Sequence, residues 1–176
     1  EAVRYYKMAA DKGYVDAMYN YAFMRYKGDG VEVNKEEAVR YYKMAADKGY
    51  VDAMNNYAFM LEKGDGVEVN KEEALCYYKM AADRGDANAK FMYIAMLNEV
   101  YIKNIINYLK IRAGKENAVA MFSYALMLAK GEGVEVNKEE ALRYFKMAAD
   151  KDDVLSMLNY AIMLDKGDGV EVNKEE

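Results

Sequence analysis

Histidine, proline and tryptophan are all missing from this 176-residue chain, and cysteine occurs once, at Cys76. Without histidine there is no histidine general base, no Ser–His or Cys–His nucleophile and no imidazole metal ligand within the chain. A single cysteine permits no intrachain disulfide, and no Asn-x-Ser/Thr acceptor occurs. Both facts point to a reducing, cytoplasmic setting. The lack of proline favours uninterrupted helices. No apolar run approaches the roughly eighteen residues of a membrane span, so membrane insertion of this chain is not expected. A net charge of -5 without a basic cluster argues against nucleic acid as a partner. The chain opens in mid-pattern at Glu1, as a fragment of a longer array does, and a targeting segment can lie outside it.

What is present is a period. The string KGDGVEVNKEEA runs from Lys63 to Ala74, recurs at Lys27 to Ala38, and returns at Lys130 to Ala141 with Glu132 in place of Asp. A shift of 36 lays residues 1–34 on residues 37–70 with three mismatches: Tyr19/Asn55, Arg25/Leu61 and Tyr26/Glu62. The units are 1–34, 35–70, a shortened 71–101, a divergent 102–137 and 138–173, with the start of a sixth at 174. The whole chain reads as one repeat array.

Each unit reads as two helices. Ala38, Tyr41, Tyr42, Ala45 and Ala46 share one helical face, while Arg40, Lys43 and Asp47 share the opposite one. In the second helix Ala53, Asn56, Tyr57, Met60 and Leu61 form the apolar stripe. Gly49 and Gly64 follow a lysine where each helix should stop, because glycine enters the left-handed region without steric cost. Asn70 with Glu73 has capping-box spacing, and Val69 and Ala74 take the staple positions. The glycine-rich string is therefore expected to be punctuation. It lacks the Gly-Lys-Ser/Thr of a phosphate loop and the alternating acids of a calcium loop. No cofactor, metal or catalytic residue is expected. The expected fold is all-α, an array of antiparallel helix pairs with about ten helices.

These residues resemble the Sel1-like repeat, a relative of the tetratricopeptide repeat. Ala38, Tyr41, Tyr42, Ala45, Ala46, Gly49, Ala53, Gly64, Gly66 and Val67 fit its pattern. The fourth unit departs at Ile105, Arg112 and Glu116, and the third lacks its Gly-x-Gly loop. The resemblance implies a right-handed α/α solenoid, or superhelix. It also implies a non-catalytic adaptor that docks a protein or peptide, as related solenoids do on a concave surface. The paired cysteines of the secreted bacterial branch are absent.

The recurring Tyr5/Tyr41/Tyr77/Tyr108/Tyr144 and Tyr21/Tyr57/Tyr93/Tyr124/Tyr160 sets are expected to pack between helices, each hydroxyl finding a partner at the edge of the core. The polar face of the first helices carries the candidate partner-binding residues: Arg4, Lys7, Arg40, Lys43, Cys76, Lys79, Asn107, Lys110, Arg143 and Lys146. They suit a peptide with carboxylates, or they form a solvated face in which Lys43 pairs with Asp47 one turn away. A competing reading makes the chain a regulatory or targeting region of a larger enzyme whose catalytic domain lies elsewhere.

Overall fold

The structure is a computed structural model that describes residues 1–170. The expected start of a sixth unit lies outside the described residues. Among these residues there are nine helices and no strand. They are α1 (Ala2–Asp11), α2 (Val15–Lys27), α3 (Lys35–Asp47), α4 (Val51–Lys63), α5 (Lys71–Ala82), α6 (Ala87–Gly114), α7 (Ala118–Lys130), α8 (Lys138–Ala149) and α9 (Val154–Asp165). The count falls one short of the expected ten. The third unit has lost its loop, the second helix of that unit meets no stop signal, and α6 continues into the first helix of the fourth. The chain divides into two compact units, Glu1–Leu97 and Asn98–Glu176.

The helix boundaries follow the sequence signals. The side chains of Asn34, Asn70 and Asn137 each accept a hydrogen bond from the backbone N–H three residues on, at 2.8, 3.0 and 2.9 Å. Asn117 and Asp153 cap α7 and α9 in the same way. Gly64 closes α4 in the left-handed conformation, with φ 71°. A β-carbon there would meet the Val69 side chain at 2.7 Å, so the valine before the cap closes the loop onto the glycine. The same pairing recurs at Gly28/Val33 and Gly131/Val136. Where the first-helix stop lacks glycine, Glu116 and Asp152 adopt positive φ of 61° and 64°. The turn geometry therefore persists after its preferred residue is lost, at a cost that the surrounding packing must offset.

In the first unit α1 to α5 pack in sequence, α2 against α3 and α4 against α5. Ala38, Tyr41, Tyr42, Ala45, Ala46, Ala53, Met54, Tyr57, Ala58, Met60 and Leu61 form the centre of this core, each 4% exposed or less. The alanines let helices approach closely while the tyrosines fill the gaps. Tyr21 meets Tyr41 edge-on at 4.7 Å between ring centroids, and Tyr57 meets Tyr77 at 4.8 Å. The second unit repeats the device with Tyr124 and Tyr144 at 5.2 Å. Its core gathers Ile106, Tyr124, Leu128, Leu142 and Phe145. The tyrosine ladder is thus packing, as the spacing implied, except that Tyr5 and Tyr108 are 64% and 60% exposed. Arg112, standing at an alanine position, is exposed.

Candidate functional site

The polar face of the first helices is built by a unit that recurs between successive repeats. Lys7 pairs with Asp11 one turn on at 2.8 Å, and the Tyr41 hydroxyl from α3 donates to the other Asp11 oxygen at 2.7 Å. One repeat later Lys43 pairs with Asp47 at 2.9 Å, and the Tyr77 hydroxyl from α5 donates to Asp47. Lys43 also donates to the Tyr77 oxygen at 3.1 Å. A basic, an acidic and an aromatic side chain from adjacent repeats therefore form one closed network. The Lys43–Asp47 pair was expected from its spacing. The tyrosine crossing from the next repeat was not, although its signal is in the sequence: an aspartate and a tyrosine thirty positions later recur in phase.

Charge follows from these contacts. Hydrogen bonding to Lys7, and then to Tyr41, holds the Asp11 carboxyl below the ordinary range. Partial burial pushes Asp47 upward, but donation from Tyr77 and Lys43 outweighs it, and the net shift is downward. Lys43 is raised, chiefly by Asp47 and then by Tyr77. Lys79–Asp83 and Lys146–Asp150 complete the series, at 2.7 and 2.8 Å. Each candidate lysine of these four pairs has its charge balanced one turn away.

The arginines are placed differently. Arg40 lies over the Tyr41 ring, 4.8 Å from its centroid, and Arg143 over Tyr144 at 5.2 Å. Their nearest carboxylates are distant for ion pairs: Glu37 at 3.9 Å and Glu140 at 3.5 Å. The two side chains are 64% and 65% exposed. The aromatic face orients the guanidinium while its donors stay available. Arg4, in the same repeat slot, is exposed, and so is Cys76. In the second unit Lys110 stands over Tyr124 at 5.5 Å, and Asn107 is exposed. The structure thus brings Lys7, Arg40, Lys43 and Lys79 onto successive first helices of the first unit. It holds Asn107, Lys110, Arg143 and Lys146 within the second.

Between α4 and α5, two further hydroxyls find carboxylates. Tyr57 donates to Glu73 at 3.0 Å and Tyr78 to Glu62 at 3.2 Å. Arg25 pairs with Glu37 at 2.7 Å. Among the described residues no group of three or more Cys, Asp or Glu side chains is placed to hold a metal ion, and no helix is long and apolar enough to cross a membrane.

A family model described as the Sel1 repeat matches residues 1–14, 15–50, 51–86, 118–153 and 154–176. The unmatched stretch, 87–117, is α6 with the turn after it. The crystal structure of a Sel1 repeat protein from Oxalobacter formigenes is similar over 92% of this chain and 68% of that one, with 28% identity and a TM-score of 0.49. The crystal structure of c5321 is similar over 95% of this chain, with 26% identity and a TM-score of 0.50. That protein is a protective antigen present in uropathogenic Escherichia coli strains and displays an SLR fold; this chain covers 37% of it. No curated protein matches.

Proposed function

The chain belongs to the Sel1 repeat family, and from that premise we propose that it is a non-catalytic scaffold that docks a protein or peptide on the polar face of its first helices. Proteins of this family are generally protein–protein interaction scaffolds with an all-helical repeat fold. The observation that carries the reading is the pair of exposed arginines in one repeat slot, Arg40 and Arg143, each set over a tyrosine and only loosely held by glutamate. A planar fork in that state suits bidentate contact with a partner carboxylate. The lysines beside them serve the fold first. Lys43 ties two repeats together through Asp47 and Tyr77, so it borders a binding surface without offering a free charge.

The test reverses arginines and spares lysines. Arg4→Glu, Arg40→Glu and Arg143→Glu together should abolish capture of the partner set that the unaltered chain retains, with helical circular dichroism unchanged. Capture that survives the triple change moves the binding surface to other helices.

A further inference from the structure

Helices α2, α3 and α4 of the first unit line an open cavity of about 350 Å³. Its walls are Phe23, Tyr26 and Lys27 from α2, Tyr42 from α3, and Asn56, Phe59 and Met60 from α4. Tyr42 and Met60 are almost fully buried and make the floor, while Phe23 and Phe59 are 40% and 41% exposed and make the rim. Burial pushes the Tyr42 hydroxyl well above the ordinary tyrosine value, and the Asn56 amide beside it works against that rise. The volume is at the small end for ligand sites and fits one large side chain.

The next repeat boundary differs at the residues around this space. There Tyr78 replaces Tyr42, Glu62 replaces Tyr26, Lys63 replaces Lys27 and Met92 replaces Asn56. Methionine cannot donate to the buried hydroxyl. Tyr78 instead donates to Glu62, and the same glutamate pairs with Lys63. At the first boundary Asn56 meets the need of the hydroxyl, the glutamate slot becomes Tyr26, and the lysine loses its acid. Lys27 lies over the Tyr26 ring at 5.5 Å, is exposed, and makes no ion pair among the described residues. No carboxylate lines the cavity.

We propose that this cavity is a second docking site, which takes an aromatic side chain of a partner peptide whose neighbouring carboxylate pairs with Lys27. The aromatic ring meets Phe23 and Phe59 at the rim and Tyr42 below. The acidic neighbour supplies at Lys27 the charge that Glu62 supplies at Lys63. The site rests on the scaffold reading only in taking a peptide as ligand. Its rim residues and Lys27 lie on α2 and α4, apart from Arg4, Arg40 and Arg143, so the failure of either leaves the other standing.

The test is a backbone-amide NMR titration of the 176-residue chain with acetyl-Glu-Phe-Glu-amide, beside acetyl-Lys-Phe-Lys-amide and acetyl-Glu-Ala-Glu-amide. Shifts should centre on Phe23, Lys27, Asn56 and Phe59, with both comparison peptides weaker by about tenfold or more. Lys27→Glu should cost a similar factor. Tyr26→Glu, which installs the residue that Glu62 is in the second repeat, should close the site while leaving circular dichroism unchanged. The proposal is overturned by the absence of shifts up to about 10 mM peptide, by shifts centred on α1, α3 and α5, by equal binding of the lysine-flanked peptide, or by undiminished binding to the Lys27→Glu variant.

Discussion

The first and second repeat boundaries are built from nearly the same residues, yet they solve one problem in two ways. Each buries a tyrosine in the first helix of the incoming repeat, Tyr42 or Tyr78, and each must satisfy its hydroxyl. At the second boundary the partner is a carboxylate that also pairs with a lysine. At the first the neighbour is a neutral amide, and beside it lies an aromatic-lined cavity whose lysine makes no ion pair among the described residues. In a near-perfect repeat, a few substitutions at one slot are enough to turn a packing seam into a candidate site.

The largest contrast between the first two repeats should come from their loops. Gly30 and Gly66 occupy the same slot, both with positive φ. A β-carbon on Gly30 meets nothing within 4 Å, whereas on Gly66 it falls 2.6 Å from the Lys35 backbone. Gly30→Ala should therefore cost only the left-handed penalty of about 1–2 kcal/mol. Gly66→Ala should add about 1–3 kcal/mol of overpacking. Chemical denaturation of the two variants measures the difference, and equal losses would mean that the second loop does not bear on its helix.

The buried hydroxyls offer the next contrast. Tyr78→Phe removes a hydrogen bond to a charged acceptor and should cost about 1.5–3 kcal/mol. Tyr42→Phe removes a hydroxyl that stands beside a neutral amide and should cost about 0.5–1.5 kcal/mol. If Tyr42→Phe proves the costlier in denaturant melts, the assignment of partners at the two boundaries is wrong.

Caps should differ less between the repeats. Asn70→Ala removes the bond to the Glu73 N–H and should destabilise the chain by about 0.5–2 kcal/mol, with Asn34→Ala matching it because the geometry is shared. An unchanged melt for either would refute the reading of the glycine-rich string as helix punctuation.

The smallest effect concerns pH. Asp11 and Asp47 titrate below their ordinary value in the folded chain. A lowered folded pKa means that stability is fully present above the unfolded pKa and is lost as pH falls through the folded one. The chain should lose stability on the acid side of about pH 4, and Asp47→Asn should flatten that limb. A variant with the same acid slope as the unaltered chain would show that the Lys–Asp–Tyr network contributes nothing to it.

Most of the architecture was legible from short-range signals. The period, the glycine stops and the asparagine caps depend on residues within a few positions of one another, and local backbone sterics decide them. Tyr41 and Tyr57 could be assigned to packing for the same reason: their phase repeats. The loss of a helix stop after the third unit was legible too, although the fusion into α6 had to be seen to reduce the helix count. The candidate arginines were found by helical phase, but phase cannot tell an available charge from a balanced one. Lys43 and Arg40 looked equivalent until Tyr77 arrived from the next repeat.

By itself the sequence determined a helical repeat array and where its helices begin and end, because caps, stops and apolar spacing act over one or two turns. Only the tertiary structure decided which polar groups are spent. That Lys63 is paired, while Lys27 makes no ion pair among the described residues, depends on Glu62 or Tyr26 beside them and on whether Met92 or Asn56 stands across the boundary. Tyr78 and Glu62 meet through space across 16 positions, and a buried hydroxyl takes whichever partner the packing brings within reach.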